Sequence, residues 1–213
     1  MISPHGRAVL VGSYMKKLML ILGLLLMTVS ACAGQATAFY LEGFNYGSPT
    51  DWQNGYPYYA KIGNDRNPTV YVMCDAYIFA GTPGYYWQVL ETNLGNLSTA
   101  PFLLFKNLPN FLTLYQEAGW LVWDTQTSGS QYWTVMNDAV WSIFDSHYVC
   151  TGSTGDMSTC QYWLAQAQNP ENYQHYPTSD VEAFTPINDA TDQEFLCVWN
   201  GSSCLEVPTA SAP

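Results

Sequence analysis

The sequence predicts an α+β domain in which strand-rich N-terminal and C-terminal segments flank a helical middle. Three observations predict it: apolar residues at helical spacing in the centre, β-branched and aromatic runs on either side, and no repeat or linker that divides the chain. Of the 213 residues, 48% are hydrophobic and 11% are charged. This composition supports a sizeable core and argues against disorder.

The helical middle is predicted by an apolar stripe between residues 132 and 144, where Met136, Val140 and Ile143 recur at helical spacing. Comparable patterns predict helices at 111–123 and 157–168, and the last should end before Pro170 because proline lacks the N–H that a helix needs. Strands are predicted at 69–73, 76–79, 85–90, 181–185 and 194–199.

An export signal is predicted at the N-terminus. Residues 18–29 form an unbroken apolar run after Lys16 and Lys17. The run is shorter than the roughly 20 apolar residues that a membrane-spanning helix requires, and its layout is typical of a secretory signal. We therefore expect a signal peptide at 1–38, with 1–14 as an over-long start, a single exported domain at 39–206 and a disordered tail at 207–213.

The cleavage point stays open between two small-x-small sequences, Ala31-Cys32-Ala33 and Ala36-Thr37-Ala38. Residues 29–32 (VSAC) also resemble a lipobox, which would attach a lipid to Cys32. The expected location is therefore secreted or in the cell envelope, and membrane contact is expected only through a lipid on Cys32.

The exported part is strongly acidic. Lys61, Arg66 and Lys106 leave 3 basic against 17 acidic residues, a net charge of −14. Such a surface repels phosphate backbones, which argues against nucleic acid and anionic lipid as partners. His147 and His175 have no metal-ligand spacing, and no nucleotide or phosphate motif appears, so neither a metal nor a cofactor is expected.

Two disulfides are predicted, because exported cysteines tend to pair. Cys197 and Cys204 flank a hairpin signal at 200–201 (NG), and counting outward from that turn sets Trp199 opposite Ser202 and the two cysteines opposite each other. Cross-strand neighbours lie within disulfide reach.

The second predicted pair is Cys150 and Cys160, which bracket a Gly/Ser/Thr-rich loop at 151–159. Cys74 is then the fifth cysteine after Ala38. An odd cysteine in an exported chain calls for an explanation.

Three segments carry a family resemblance. Residues 70–77 (VYVMCDAY), 115–121 (YQEAGWL) and 137–145 (NDAVWSIFD) occur in this order. They resemble the Y-x-x-C-x-D strand, the Y-x-E-A-A-W-L helix and the Q-x-A-I-W helix of bacterial surface thioester domains and of related exported proteins that often carry a PEP-CTERM sorting tail. We expect either that this branch lacks such a tail or that one follows Pro213.

In that family, the strand cysteine and the helix glutamine condense into an internal thioester. The resemblance places the cysteine at Cys74 and the glutamine position at Asn137, whose amide carbon falls about 1.4 Å short at ordinary bond lengths. We therefore expect a thioester-domain-like fold that has lost the bond, with Asp75, Glu117 and Trp141 near the same site.

The leading functional hypothesis is a non-enzymatic module for binding or adhesion at a cell surface or in a matrix, without catalytic residues. Its expected partner is a surface protein or a glycan. Two alternatives remain open at this stage. One is a secreted hydrolase acting on polysaccharide, with its carboxylates among Glu117, Asp124 and Asp145. The other is a structural envelope lipoprotein anchored through Cys32.

Overall fold

The computed structural model describes residues 36–44, 58–64, 66–76, 84, 86–99, 102–128, 133–148, 150, 157–187 and 193–206. All of them belong to one compact unit that begins at Gln35. The described residues contain six strands, namely β1 (Ala36–Phe44), β2 (Tyr58–Ile62), β3 (Val70–Cys74), β4 (Tyr86–Asn93), β5 (Val181–Pro186) and β6 (Phe195–Val198). They also contain four α-helices, namely α1 (Phe111–Ser128), α2 (Trp133–Phe144), α3 (Met157–Ala167) and α4 (Pro170–Tyr173), and two short 3-10 helices at Leu94–Thr99 and Thr178–Asp180.

The strands form a closed antiparallel barrel in the order β1-β2-β3-β6-β5-β4. Alternate side chains point inward, as the two-residue period of a strand requires. The interior is aromatic and aliphatic: Phe39, Leu41, Val72 and Val89 are fully buried. The ring of Phe39 stacks on that of Phe195 with centroids 5.1 Å apart.

The helices pack against one side of this barrel. In α1, the side-chain oxygen of Gln126 accepts a hydrogen bond from the backbone N–H of Val198 at 2.7 Å, which fastens the helix to β6. A second core lies between helices and strands, where Leu121, Met136 and Leu196 have no exposed surface. The predicted α+β class is confirmed, with the helical middle between two groups of strands.

The helices agree with the sequence more closely than the strands do. Helix α1 continues five residues beyond its predicted end. Pro170 does terminate α3, yet it also begins α4, because proline is well suited to the first helical position. The side chain of Asn169 caps α4 by accepting the backbone N–H of Glu171 at 3.1 Å. Strands β1 and β2 were not predicted.

The predicted register of the C-terminal hairpin is wrong. Trp199 pairs with Cys204, whereas the sequence set it opposite Ser202. The side-chain oxygen of Asn200 accepts the backbone N–H of Ser202 at 3.0 Å, and this local turn moves the pairing by two residues. Cys197 therefore meets Cys204 diagonally, with Cα atoms 5.7 Å apart.

Several expectations fall outside the described residues: nearly all of the signal peptide at 1–38 including Cys32, the tail at 207–213, and residues 77–79 of a predicted strand. Among the helices that the structure does describe, none combines the length and the apolar character needed to span a bilayer.

Candidate functional site

The candidate site begins at the end of β3. Cys74 pairs with Phe195 of β6. Its side chain is 1% exposed and belongs to the inner cluster of the barrel. The β-branched and aromatic run that precedes it forms the strand, and the inward position of Val72 two residues earlier directs Cys74 to the same side.

Helix α2 brings two side chains to Cys74. Asn137 and Trp141 are four residues apart, so they lie one above the other on a single side of the helix. The side-chain N–H of Asn137 donates to the backbone carbonyl of Cys74 at 2.7 Å. The indole N–H of Trp141 donates to Cys74 Sγ at 3.2 Å. Both residues are buried, so these contacts form without competition from water.

The thiol also touches the Asn137 amide. Cys74 Sγ lies 3.9 Å from Asn137 Oδ1 and 3.8 Å from Asn137 Nδ2. The sulfur therefore lies almost equally far from the two terminal atoms of the amide, at the distance of a van der Waals contact, and the amide carbon joins those two atoms. The arrangement places a nucleophilic atom beside a carboxamide carbon, which are the two groups from which a thioester could form.

A second group of polar side chains lies directly after Cys74. The carboxyl groups of Asp75 and Glu194 have no exposed surface, and the backbone N–H of Asp75 reaches the carbonyl of Glu194 at 3.4 Å. The Glu194 carboxyl accepts hydrogen bonds from the hydroxyls of Tyr115 and Thr185. The backbone N–H of Leu104 adds a third at 3.0 Å.

Asp75 is held differently from Glu194. Among the described residues, no backbone or hydroxyl donor of another residue bonds to its carboxyl oxygens, and the side chain within hydrogen-bond reach is the other carboxyl, that of Glu194. Burial raises the pKa of Asp75 well above its usual range, and the neighbouring carboxyl of Glu194 and then Cys74 raise it further. The pKa of Tyr115 is also raised, mainly by burial and next by Glu194. Asp75 therefore keeps its proton where an exposed carboxyl would be ionised.

The chain resembles solved structures in its fold. It is similar to the N-terminal thioester domain of a surface protein from Clostridium perfringens, with a TM-score of 0.50 and 14% identity over 76% of this chain and 97% of that chain. The chain has a thioester-domain-like fold.

Two further structures are similar to a lesser degree. They are the thioester domain of the fibronectin-binding protein SfbI from Streptococcus pyogenes (TM-score 0.48, 9% identity, 76% of this chain and 93% of that chain) and the N-terminal domain of the pilus tip adhesin Cpa from the same organism (TM-score 0.46, 14% identity, 81% and 94%). No protein-family model matches the chain, and no curated protein matches it either.

Within this thioester-domain-like fold, the structure brings together Cys74, Asn137, Trp141 and Asp75. Glu117 occupies another place. It lies two residues after Tyr115, about 200° round the helix from the side chain that reaches Glu194.

Glu117 instead shares a side of α1 with Trp120 three residues on. The ring of Trp120 packs on Trp163 of α3, with centroids 6.3 Å apart. Burial there raises the pKa of Glu117 to about 7. This side of α1 is not the one that reaches Glu194, and the expectation that Glu117 lies near Cys74 stays a prediction.

The other four cysteines that the structure describes are joined in the predicted pairs. Cys150 and Cys160 form one disulfide and Cys197 and Cys204 the other, with Cα–Cα distances of 5.6 and 5.7 Å. Cys74 lies outside both. Among the described residues there is no group of three or more His, Cys, Asp or Glu side chains arranged to hold a metal ion.

Glu194 is the site residue that sequence reasoning missed. It was taken only as the first residue of a strand, and nothing beside it marks an acid that would be buried. Its partner Tyr115 lies 79 positions earlier, in the segment that carries the family resemblance. The contact between these two residues forms only in the folded protein, where α1 packs against the barrel, so the sequence alone does not reveal it.

Proposed function

We propose that this chain is an exported binding or adhesion module of a cell surface or matrix, and that it works without an intact internal thioester. One observation carries the proposal: a thioester-domain-like fold places Cys74 against Asn137, where the family pattern has a glutamine.

The length and the packing of the Asn137 side chain support the absence of an internal thioester. Asparagine lacks one methylene, so its amide carbon falls about 1.4 Å short of the position that glutamine would reach. Its amide nitrogen, which would leave as ammonia if the thioester formed, donates to the Cys74 carbonyl at 2.7 Å. Asn137 has no exposed surface, so closing the gap would require α2 and β3 to move together.

Export is supported by the disulfides, and the position of β1 bears on where the signal peptide would be cleaved. Disulfides persist in oxidising compartments, and the structure contains two. Strand β1 begins at Ala36 and its first three residues pair with β4. Cleavage after Ala31 or Ala33 would leave this strand whole, whereas cleavage after Ala38 would remove the three paired residues. A boundary before Ala36 is therefore our preferred one.

A surface protein or a glycan is the partner class that the charge favours. The solved structure that matches with a TM-score of 0.50 is a domain of a surface protein. The acidic balance of this chain, 6 basic against 17 acidic residues, disfavours nucleic acid.

Intact-mass spectrometry of the exported protein tests the proposal. The expected mass is that of the cleaved chain with two disulfides and no loss of ammonia, and treatment with methylamine should leave it unchanged. A mass lower by one ammonia, together with methylamine addition at Asn137 that frees the Cys74 thiol, would overturn the absence of the bond. An unprocessed N-terminus on the folded protein would overturn export.

The variant Asn137→Gln asks whether the rest of the machinery remains. A methylamine-reactive product that has lost ammonia would mean that one methylene separates this chain from a working thioester. An unreactive, folded variant would mean that the surroundings have changed too, and non-covalent binding would then be the whole activity. Cys74→Ala in the same background is the matched control, because it cannot form the bond.

A further inference from the structure

The outer face of the barrel carries aromatic side chains where an antiparallel sheet normally presents polar ones to water. Inward positions hold residues such as Phe39 and Leu41. The outward positions of four adjacent strands, in the order β4, β1, β2 and β3, hold tyrosines, and the ring at the start of α2 extends the row. We call this row the outer aromatic strip; it consists of Tyr86, Tyr40, Tyr59, Tyr71 and Trp133.

Strand register shows that the strip lies on one face. Tyr40 is directly opposite Tyr86 of β4 and Lys61 of β2. Tyr59 precedes Lys61 by two residues, which is the spacing of the same face, and it is directly opposite Tyr71 of β3. Neighbouring strands are about 4.8 Å apart, so the four tyrosines extend across roughly 14 Å of the barrel.

The rings hold one another in place. Tyr40 stacks on Tyr86 with centroids 4.2 Å apart and an interplanar angle of 18°. Tyr86 nevertheless remains 59% exposed, so Tyr40 supports one face of a ring that stays open to solvent. Tyr71 lies between Tyr59 and Trp133, at centroid distances of 5.7 and 5.1 Å. Fixed rings lose little conformational entropy when a ligand binds.

The polar groups between the rings carry no net charge. Lys61 pairs with Glu42 at 3.1 Å, and Glu42 also accepts the hydroxyl of Thr69 at 2.6 Å. The exposed amide of Gln88 lies on the same face as Tyr86, two residues further along β4. The strip is therefore a row of aromatic faces interrupted by hydrogen-bonding groups, among them one ion pair, whose charges sum to zero.

We infer that the outer aromatic strip binds a neutral oligosaccharide or polysaccharide. A pyranose ring has one face of C–H groups, which stacks on the electron-rich face of an aromatic ring, and hydroxyls at its edge, which need donors and acceptors. Stacked rings alternating with amide, hydroxyl and carboxylate groups match that chemistry. An anionic glycan is disfavoured because the chain carries 17 acidic and only 6 basic residues.

A protein partner fits the strip less well. A stable protein interface needs about 800 Å² on each side with a closed apolar centre. Here the rings stand in single file and an ion pair divides them. This inference rests on the proposed binding function and names the ligand class and the surface that would take it.

Native gels cast with hydroxyethyl cellulose, laminarin or galactomannan test the inference, with alginate as the anionic comparison. At least one neutral polymer should retard the protein, and alginate should not. The double variant Tyr40→Ala/Tyr86→Ala should weaken that binding at least tenfold, whereas Tyr86→Trp should keep it because a stacking face remains. Tyr162→Ala is the matched control, since Tyr162 is a 56% exposed tyrosine on α3, outside the strip.

Three results would overturn the inference: no retardation by any of the neutral polymers, retardation that Tyr40→Ala/Tyr86→Ala leaves intact, or equal retardation by alginate. Circular dichroism of each variant reports whether it is folded, and Tyr86→Ser provides a second variant at an exposed position. The test is independent of the Cys74 site. If the exported protein adheres to cells and Tyr86→Ala does not change that adhesion, the proposed binding function is supported. The inference that the outer aromatic strip binds a glycan is then wrong.

Discussion

The indole N–H of Trp141 donates a hydrogen bond to the sulfur of Cys74 across 3.2 Å. One helical turn earlier, the side chain of Asn137 binds the backbone of the same cysteine. Two residues of α2 are thus fastened to one residue of β3, through its side chain and its main chain. These two contacts fix the position of α2 along the barrel. They therefore also fix the distance between the Asn137 amide and the Cys74 thiol.

Replacing Trp141 by Phe should destabilise the fold. The variant loses the hydrogen bond to sulfur and leaves a small cavity where the larger ring lay, which together should lower the free energy of unfolding by about 2 kcal/mol. Urea denaturation measures it. Trp133→Phe is the matched control on the same helix, because Trp133 is only half-buried; its loss should stay below about 1 kcal/mol. Equal losses of unfolding free energy in the two variants would show that the hydrogen bond from Trp141 to Cys74 adds no measurable stability.

Gly119→Ala should also destabilise the protein. A Cβ there would overlap the Tyr176 hydroxyl and would lie 2.7 Å from Leu94 Cδ1. Overpacking of this kind costs about 1–3 kcal/mol, more than the helix propensity that alanine gains.

Tyr176→Phe tests this account, because the Tyr176 hydroxyl is buried and has no hydrogen-bond partner among the described residues. The single variant should be close to neutral in free energy of unfolding. In its background, the Gly119→Ala loss should shrink by at least half in a double-mutant cycle measured by urea denaturation. An unchanged loss would assign the clash to Leu94 instead.

Asp75→Asn should reduce the dependence of stability on pH. The pKa of Asp75 is raised in the folded protein, so between the unfolded pKa near 3.9 and the higher folded value the folded state binds more protons. The free energy of unfolding therefore falls as the pH rises through that window and is highest below it. Asparagine resembles the protonated side chain, and the variant should gain stability relative to wild type as the pH increases.

Glu117→Gln should also reduce the fall in the free energy of unfolding as the pH rises. For this residue the pH range of the effect has a defined upper limit. Its folded pKa of about 7 means that its contribution to the fall of stability is complete a little above pH 7. Glu171→Gln is the control, because that side chain is 84% exposed. Urea denaturation at pH 5, 6.5 and 8 compares the variants.

The same measurement tests the prediction for Asp75. If the free energies of unfolding of Asp75→Asn and wild type changed in parallel with pH, the buried, protonated carboxyl would be contradicted.

Non-reducing peptide maps should recover Cys150 linked to Cys160 and Cys197 linked to Cys204. Replacing both Cys197 and Cys204 by alanine should lower the free energy of unfolding by about 2.5 kcal/mol, the loop-closure entropy of so short a loop. The variant should still fold, because the barrel does not depend on the hairpin alone. A peptide containing Cys74 bonded to any of these four cysteines would contradict the pairing.

Helix α2 could be predicted from sequence because its signal is local. The apolar residues Met136, Val140 and Ile143 recur at helical spacing, and nothing distant is needed to see them. What the periodicity does not reveal is that Asn137 and Asp138 are buried as well. A polar residue in an amphipathic pattern is normally assigned to solvent. The family resemblance, not the periodicity, drew attention to Asn137.

Strands β1 and β2 escaped prediction for the opposite reason. A strand is stabilised by partners that are distant in sequence, and β1 pairs with both β2 and β4. The first residues of β1 also lie where small residues suggested a cleavage site. The hairpin at 200–201 shows the limit of local rules: the turn was foreseen, but a side-chain bond from Asn200 moved its register.

Closure of the barrel has a consequence for how this protein can assemble. Each of the six strands that the structure describes is paired on both sides. Paired residues commit their backbone amides and carbonyls to the sheet, and Val70 and Tyr71 of β3 bond instead to residues 205–206 beyond β6. None of these strands is left as an edge along its whole length. Donor-strand exchange and fibre growth by edge-to-edge addition are therefore closed to the barrel, and an extended peptide cannot dock by becoming a seventh strand. Within the part of the chain that the structure describes, contact with another surface is left to side chains on the outside of the barrel and to the helices.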